Sequence, residues 1–167
     1  MRMFIAIRLS DAMKDALIHA QKEMYDLGIL GNYTKGENLH LTLAFIGEYP
    51  DPQAVMDALE AVIFTPFELE LQGMGCFGDL WWAGMKDSVP LAAVVRRVRK
   101  ALGDAGIPFD RKRFSPHITL IRRADGRMSG IQIEKAAMTV SGISLMRSDR
   151  GRNGMIYTEI GTKDAQQ

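Results

Sequence analysis

Asn38-Leu-His-Leu-Thr-Leu-Ala-Phe-Ile46 alternates polar and apolar residues as a half-buried strand does, and Gly47 and Pro50 close it. His117-Ile-Thr-Leu120 repeats its centre 77 residues later. That spacing is too long for a solenoid repeat but fits two halves of one duplicated fold. On a strand, residues i and i+2 share a face, so His40 sits beside Thr42 and His117 beside Thr119. If the halves pair about a pseudo-twofold axis, two imidazoles and two hydroxyls meet in one cleft. The chain has three histidines and seven threonines, and a double His-x-Thr match then arises by chance roughly once in two hundred. Either histidine alone reads as an ordinary strand residue bonded to backbone. The pair does not, while His19, alone on its helix, keeps the plain reading.

The neighbouring segments extend the pattern. Met3 to Ile7 reads as a short buried strand, and Ser10 then caps a helix with apolar residues Met13, Leu17, Ala20, Met24 and Leu27, ended by Gly28. A second helix opens at Asp51-Pro52 and runs to about Ile63. Strands at Phe67 to Leu71 and Leu80 to Met85 flank a glycine-rich segment, 73–78. Ser88 and Pro90 start a third helix on Leu91, Val94, Val98 and Leu102, stopping near Gly103 and Gly106. A basic loop, a strand at 115–121, a β-rich stretch at 131–146, a turn at 148–154 and a strand at 155–160 follow. Helices and strands alternate first and strands dominate later, which predicts an α+β domain with mainly antiparallel sheet.

With 167 residues, 47% apolar and 25% charged, the chain reads as one domain, 1–167, rather than a disordered or collagen-like polymer. Its single cysteine, Cys76, cannot form an internal disulfide, so a reducing cytoplasm is the expected location. The opening apolar run is too short for a signal peptide core, and no stretch approaches the ~20 apolar residues of a membrane span, so no membrane partner is expected. The net charge of +1 hides an asymmetry. Residues 1–95 hold 6 Lys/Arg against 13 Asp/Glu, and residues 96–167 hold 15 against 7. A polyanion would therefore meet the C-terminal half, although basic residues on solvated faces give the same count.

Two convergent histidines suit a displacement in which one neutral imidazole takes a proton from the attacking oxygen and the other, protonated, gives one to the leaving oxygen. Threonine hydroxyls and an arginine can hold the non-bridging oxygens as charge redistributes. Arg111, Lys112, Arg113, Arg122 and Arg123 bracket His117. The residues alone thus point to phosphoester chemistry and go no further.

Asn38-Leu-His-Leu-Thr-Leu-Ala-Phe-Ile-Gly47 and Arg113-Phe-Ser-Pro-His-Ile-Thr-Leu-Ile-Arg122 resemble the two signature motifs of the two-histidine phosphoesterase superfamily, in particular the bacterial RNA 2′,3′-cyclic phosphodiesterases, also called 2′-5′ RNA ligases. The resemblance covers nearly the whole chain, with weaker matches at Arg2 to Ile7, Leu80 to Gly84 and Leu145 to Tyr157. It implies a bilobal fold with two sheets lining a central cleft and helices outside. It also implies hydrolysis of terminal 2′,3′-cyclic phosphates to 2′-phosphates with neither metal nor other cofactor, and reversible 2′-5′ joining of tRNA halves as a second activity. Its partners would be RNA ends or nucleoside 2′,3′-cyclic phosphates, met by a monomer. Carried onto this chain, His40 protonates the departing 3′ oxygen and His117 activates water, the pair being firmer than the assignment within it. Thr42, Thr119 and Arg122 bind phosphate oxygens, and Phe45 contacts the nucleotide. Simple alternation puts Phe45 and Arg122 on the face opposite their histidines, so a bulge or strand end must bring them round. The loop Arg147 to Arg152 is a further candidate for RNA contact.

Other signals carry less. Gly73-Met-Gly-Cys-Phe-Gly78 satisfies G-x-G-x-x-G, but a strand follows where a dinucleotide site needs a helix. Trp81 and Trp82 face opposite ways on a strand, so at most one reaches the cleft. No His-x-x-x-His pair or second cysteine suggests a metal site, and neither Cys76 nor Ser115 lies in a nucleophile motif. The competing readings are a relative acting on 2′-5′ oligonucleotides or ADP-ribose cyclic phosphate, and a non-catalytic RNA-binding module using the basic half.

Overall fold

Met3 to Ile7 are five successive buried residues, as expected of a strand covered on both faces. The computed structural model describes residues Met1–Gln167 and makes this strand, β1 (Arg2–Arg8), an inner member of a four-stranded antiparallel sheet. Its neighbours are β3 (His40–Glu48) and β8 (Gly142–Gly151), with β9 (Gly154–Asp164) beyond β8. Met3, Ile5 and Ile7 enter the main core, while Phe4 and Ala6 join Met146, Phe45 and Tyr157 on the opposite face.

The second sheet is antiparallel with five strands: β2 (Leu30–Tyr33), β6 (Ile118–Asp125), β5 (Leu80–Met85), β4 (Phe67–Phe77) and β7 (Ala137–Val140), in that order. Three helices pack outside. In α1 (Asp11–Asp26) the Ser10 hydroxyl accepts the Met13 N–H, and Gly28 leaves the helix at φ +81°. In α2 (Pro52–Leu59) Asp51 accepts from Ala54, and in α3 (Val89–Asp104) Ser88 accepts from Leu91. The helices cross over. Helix α1 follows β1 of the first sheet but packs under β6 and β7 of the second, whereas α3 follows β5 of the second and packs on β3 of the first. The units β1-α1-β3 and β5-α3-β6 thus have matching courses, the duplication that the repeated His-x-Thr motif announces. No helix is long and apolar enough to cross a membrane.

Several boundaries differ from the sequence reading. Leu27 is the exposed cap of α1, not part of its buried stripe. Helix α2 ends at Leu59, and Val62 reaches the core from the turn that follows. All of the glycine-rich segment but Gly78, which turns into β5, is the second half of β4. Gly75 is there for space, since a Cβ would lie 2.4 Å from the Trp82 ring. Strand β6 starts at Ile118 and leaves His117 just ahead of it. Within 131–146 regular strand begins only at Ala137. The closing strand β9 runs four residues past Ile160. Strand β2, short and mostly exposed at a sheet edge, has no alternation to announce it.

Candidate active site

His40, Thr42 and Phe45 on the first sheet and His117, Thr119 and Arg122 at the second line one cleft of about 730 Å³. Alternation alone forbids this grouping, and two bulges permit it. Opposite β3, Ala6 pairs with Thr42 and Ile5 with Ala44, so Leu43 is the extra residue. Opposite β6, Trp82 pairs with Thr119 and Trp81 with Ile121, so Leu120 is extra. An inserted residue flips the side-chain parity beyond it, and Phe45 and Arg122 return to the face of their histidines. The two bulges fall at the same step, three residues past each histidine. Their signal was present in the sequence as the apolar doublets Leu43-Ala44 and Leu120-Ile121, each buried throughout.

The imidazoles are held alike. The Nδ1–H of His40 donates to the Asn38 carbonyl at 2.7 Å, and that of His117 to the Ser115 carbonyl at 2.6 Å. A carbonyl only accepts, so Nδ1 carries the proton and Nε2 is the working nitrogen in both rings. Their surroundings differ. His40 lies against Phe4, with ring centroids 4.9 Å apart, and edge-on to Tyr157 at 5.2 Å, and its Nε2 is 2.8 Å from the Thr42 hydroxyl. His117 lies against Phe77 at 5.2 Å and Trp82 at 6.1 Å, and its Nε2 makes no hydrogen bond within the protein. Burial holds the His40 pKa below the ordinary imidazole value. The Asn38 carbonyl opposes this, and the positive charge of Arg122 and His117 adds to it.

Sequence reasoning missed part of the lining: Arg2, Phe4, Asn38 and Tyr157. Arg2 and Phe4 arrive by the pairing of β1 with β3 and Asn38 by its place just ahead of β3, whereas Tyr157 needs the first sheet to curl. Although β1 and β8 separate β3 from β9, Tyr157 of β9 touches His40, and the buried Asn38 side chain donates to the Met155 carbonyl at 2.9 Å. Asn38 therefore orients His40 through its own carbonyl while its amide ties that loop to β9. At the mouth the Arg2 guanidinium stacks over Phe45, 4.7 Å from the ring centroid.

Of the five cations that bracket His117 in sequence, only Arg122 lines the cleft. Arg111 stacks over Phe109, and the Lys112 carbonyl accepts from Arg99. The segment Arg147 to Arg152 is mostly strand; Arg147 pairs with Asp149 at 2.9 Å, and Arg150 lines the cleft. Trp82 turns toward His117, while Trp81 packs on the core. Cys76 is exposed and free. No group of three or more His, Cys, Asp or Glu side chains is placed to hold a metal ion. The cleft therefore brings the imidazoles of His40 and His117, the hydroxyls of Thr42 and Thr119 and the Arg122 guanidinium together between aromatic walls, a set suited to proton transfer at an anionic centre.

A family model of the 2′-5′ RNA ligase superfamily matches residues 28–152. The chain is 32% identical over 132 residues to an RNA 2′,3′-cyclic phosphodiesterase of Geobacillus stearothermophilus, a match covering 74% of this chain and 42% of that protein. The matched part is thus less than half of that relative. With an RNA 2′,3′-cyclic phosphodiesterase of Thermus thermophilus the identity is 32% over 176 residues, covering 96% and 88%. Among solved structures, Escherichia coli LigT in apo form is similar with a TM-score of 0.84 and 25% identity over 99% of this chain and 98% of that one. The same protein complexed with 3′-AMP gives 0.83 and 26% over the same shares.

Proposed function

The chain belongs to the 2′-5′ RNA ligase superfamily, and from that membership we propose that it hydrolyses terminal 2′,3′-cyclic phosphates of RNA and nucleotides to 2′-phosphates. The observation that carries this reading is the pair of imidazoles lining one cleft, each with Nδ1 pinned to a carbonyl, Nε2 of His117 free of protein partners and that of His40 beside the Thr42 hydroxyl. The relatives' names, and a similar protein's complex with a nucleoside 3′-phosphate, agree with that substrate class.

In this mechanism His117 Nε2 takes a proton from water as the water oxygen bonds to phosphorus. The bond from phosphorus to O3′ breaks, and protonated His40 gives its proton to O3′. The product keeps the phosphate on O2′, and one water is consumed. Thr42, Thr119 and Arg122 hold the non-bridging oxygens, and Phe45 stacks on the base. A five-membered cyclic phosphate is strained, so acid, base and a few hydrogen bonds open it without a two-metal clamp. The free site favours neutral His40; a phosphate anion between the rings supplies negative charge that raises its affinity for the proton. Replacing water by the 5′-hydroxyl of a second strand turns the same cycle into joining, the second activity we assign to the site. On this reading residues 1–167 act as one catalytic domain, monomeric and cytoplasmic, on RNA ends such as those of tRNA halves.

Purified protein in EDTA should open a nucleoside 2′,3′-cyclic phosphate and yield the 2′-phosphate. His40→Ala and His117→Ala should each lower kcat by about 10²- to 10⁴-fold while circular dichroism stays unchanged. Turnover retained in both variants excludes the mechanism.

A further inference from the structure

Gln21 is the one buried polar side chain of α1, set among Met13, Leu17 and Met24. A buried amide is costly unless bonded, and this one is: its Nε2 donates to the Leu120 carbonyl at 2.9 Å and to the Thr34 carbonyl at 2.8 Å. Leu120 is the extra residue of the β6 bulge, the one that turns Arg122 into the cleft. Its carbonyl also accepts the Thr34 N–H at 2.9 Å. Gln21, Thr34 and Leu120 thus close a small buried knot between the first half of the chain and the bulge of the second.

Just beyond the cleft arginine, Arg123 has φ 54°, the only positive φ outside glycine, a conformation that persists only where the surroundings fix it. Gly31 of β2 lies close against it, since a Cβ there would be 2.8 Å from the Arg122 carbonyl. Strand β6 therefore departs from regular geometry on both sides of Arg122, and residues from 21 to 34 brace both departures. Nothing comparable is needed for a strand that only packs.

We propose that Gln21 is a positioning residue for the reaction: its carboxamide fixes the Leu120 bulge and so aims Thr119 and Arg122 at the phosphate. This rests on the phosphodiesterase reading given above. The test is Gln21→Met, which keeps the shape and removes both donated hydrogens. The kcat/KM for a nucleoside 2′,3′-cyclic phosphate should fall about tenfold, and inhibition by inorganic phosphate should weaken by a similar factor. In an Arg122→Ala background the same change should cost clearly less, because one of the two groups it aims is gone. Thr34 amide exchange should quicken more than that of core amides elsewhere, and the thermal midpoint should fall by only a few degrees. If Gln21→Met does not fold, Gln21→Asn carries the same comparison, since it keeps the amide but is one methylene too short to reach both carbonyls. Equal, additive losses in both backgrounds, or unchanged phosphate inhibition, overturn the proposal. Turnover surviving in both histidine variants overturns the phosphodiesterase reading instead, and the phosphate-binding arm still reports on Gln21.

Discussion

The Thr42 hydroxyl stands 2.8 Å from His40 Nε2, whereas Thr119, at the equivalent step of the second motif, leaves His117 Nε2 without a protein partner. Two copies of one pattern have thus become chemically unequal. A hydroxyl shared with an imidazole orients the proton donor besides meeting a ligand oxygen, whereas a hydroxyl with no protein partner serves the ligand alone.

Thr42→Val should therefore act mainly on kcat, and Thr119→Val mainly on KM and on inhibition by phosphate. Each loss is expected to be roughly tenfold, the size of one hydrogen bond to a charged group. Steady-state kinetics on a nucleoside 2′,3′-cyclic phosphate separates the two. Identical kcat and KM changes in both variants would mean that the hydroxyls do one job.

Burial, with Arg122 and His117 adding positive charge, lowers the His40 pKa. Titrating the His40 ring by proton NMR should give a midpoint below the ordinary value near 6.5. Arg122→Ala removes a positive charge that opposes protonation, so the midpoint should move up. The same linkage bears on stability. A folded pKa below the unfolded one leaves the contribution intact above pH ~6.5 and removes it as pH falls toward the folded value. Arg122→Ala should shrink that acid loss, as denaturant midpoints at two pH values will show. A midpoint unmoved by Arg122→Ala would show that this guanidinium has no part in setting it.

Gly75 leaves no space for a methyl group, because the Trp82 ring occupies it at 2.4 Å. Trp82 in turn lies beside His117. Gly75→Ala should therefore cost about 1–3 kcal/mol through overpacking and also displace the wall of the His117 half. Loss of activity in protein that remains folded at the assay temperature is the expected result. Gly73→Ala is the contrast, since nothing lies within 4 Å of its Cβ position and only its φ of +76° resists the change.

The legible parts of this molecule were those set by local pattern. Alternation around His40, the caps at Ser10 and Ser88, and the repeated His-x-Thr all follow from neighbours in sequence. The bulges were half legible: the doublets Leu43-Ala44 and Leu120-Ile121 break alternation, yet only the partner strands show which residue is extra. The first half of β4 was legible from the alternation of Phe67 to Leu71, but its second half was not, because the reason for Gly75 is a tryptophan on the next strand. Phe4 and Tyr157 could not be placed beside His40 from sequence, since the β1–β3 pairing brings the first and the curl of the whole sheet brings the second.

Arg150 lines the cleft and Arg152 lies in the β8–β9 turn, and neither forms an ion pair, unlike Arg147 with Asp149. A nucleoside 2′,3′-cyclic phosphate carries one phosphate, already shared among Thr42, Thr119 and Arg122 in the proposed site. A cyclic-ended oligonucleotide brings further phosphates that need a cation beyond the reacting one. The double variant Arg150→Ala, Arg152→Ala should thus lose more kcat/KM on the oligonucleotide than on the mononucleotide. Each phosphate contact removed should flatten the salt dependence of oligonucleotide binding by about 0.7 of a unit of log–log slope, the value for a single strand. Equal losses on the two substrates would confine the role of this hairpin to the terminal nucleotide.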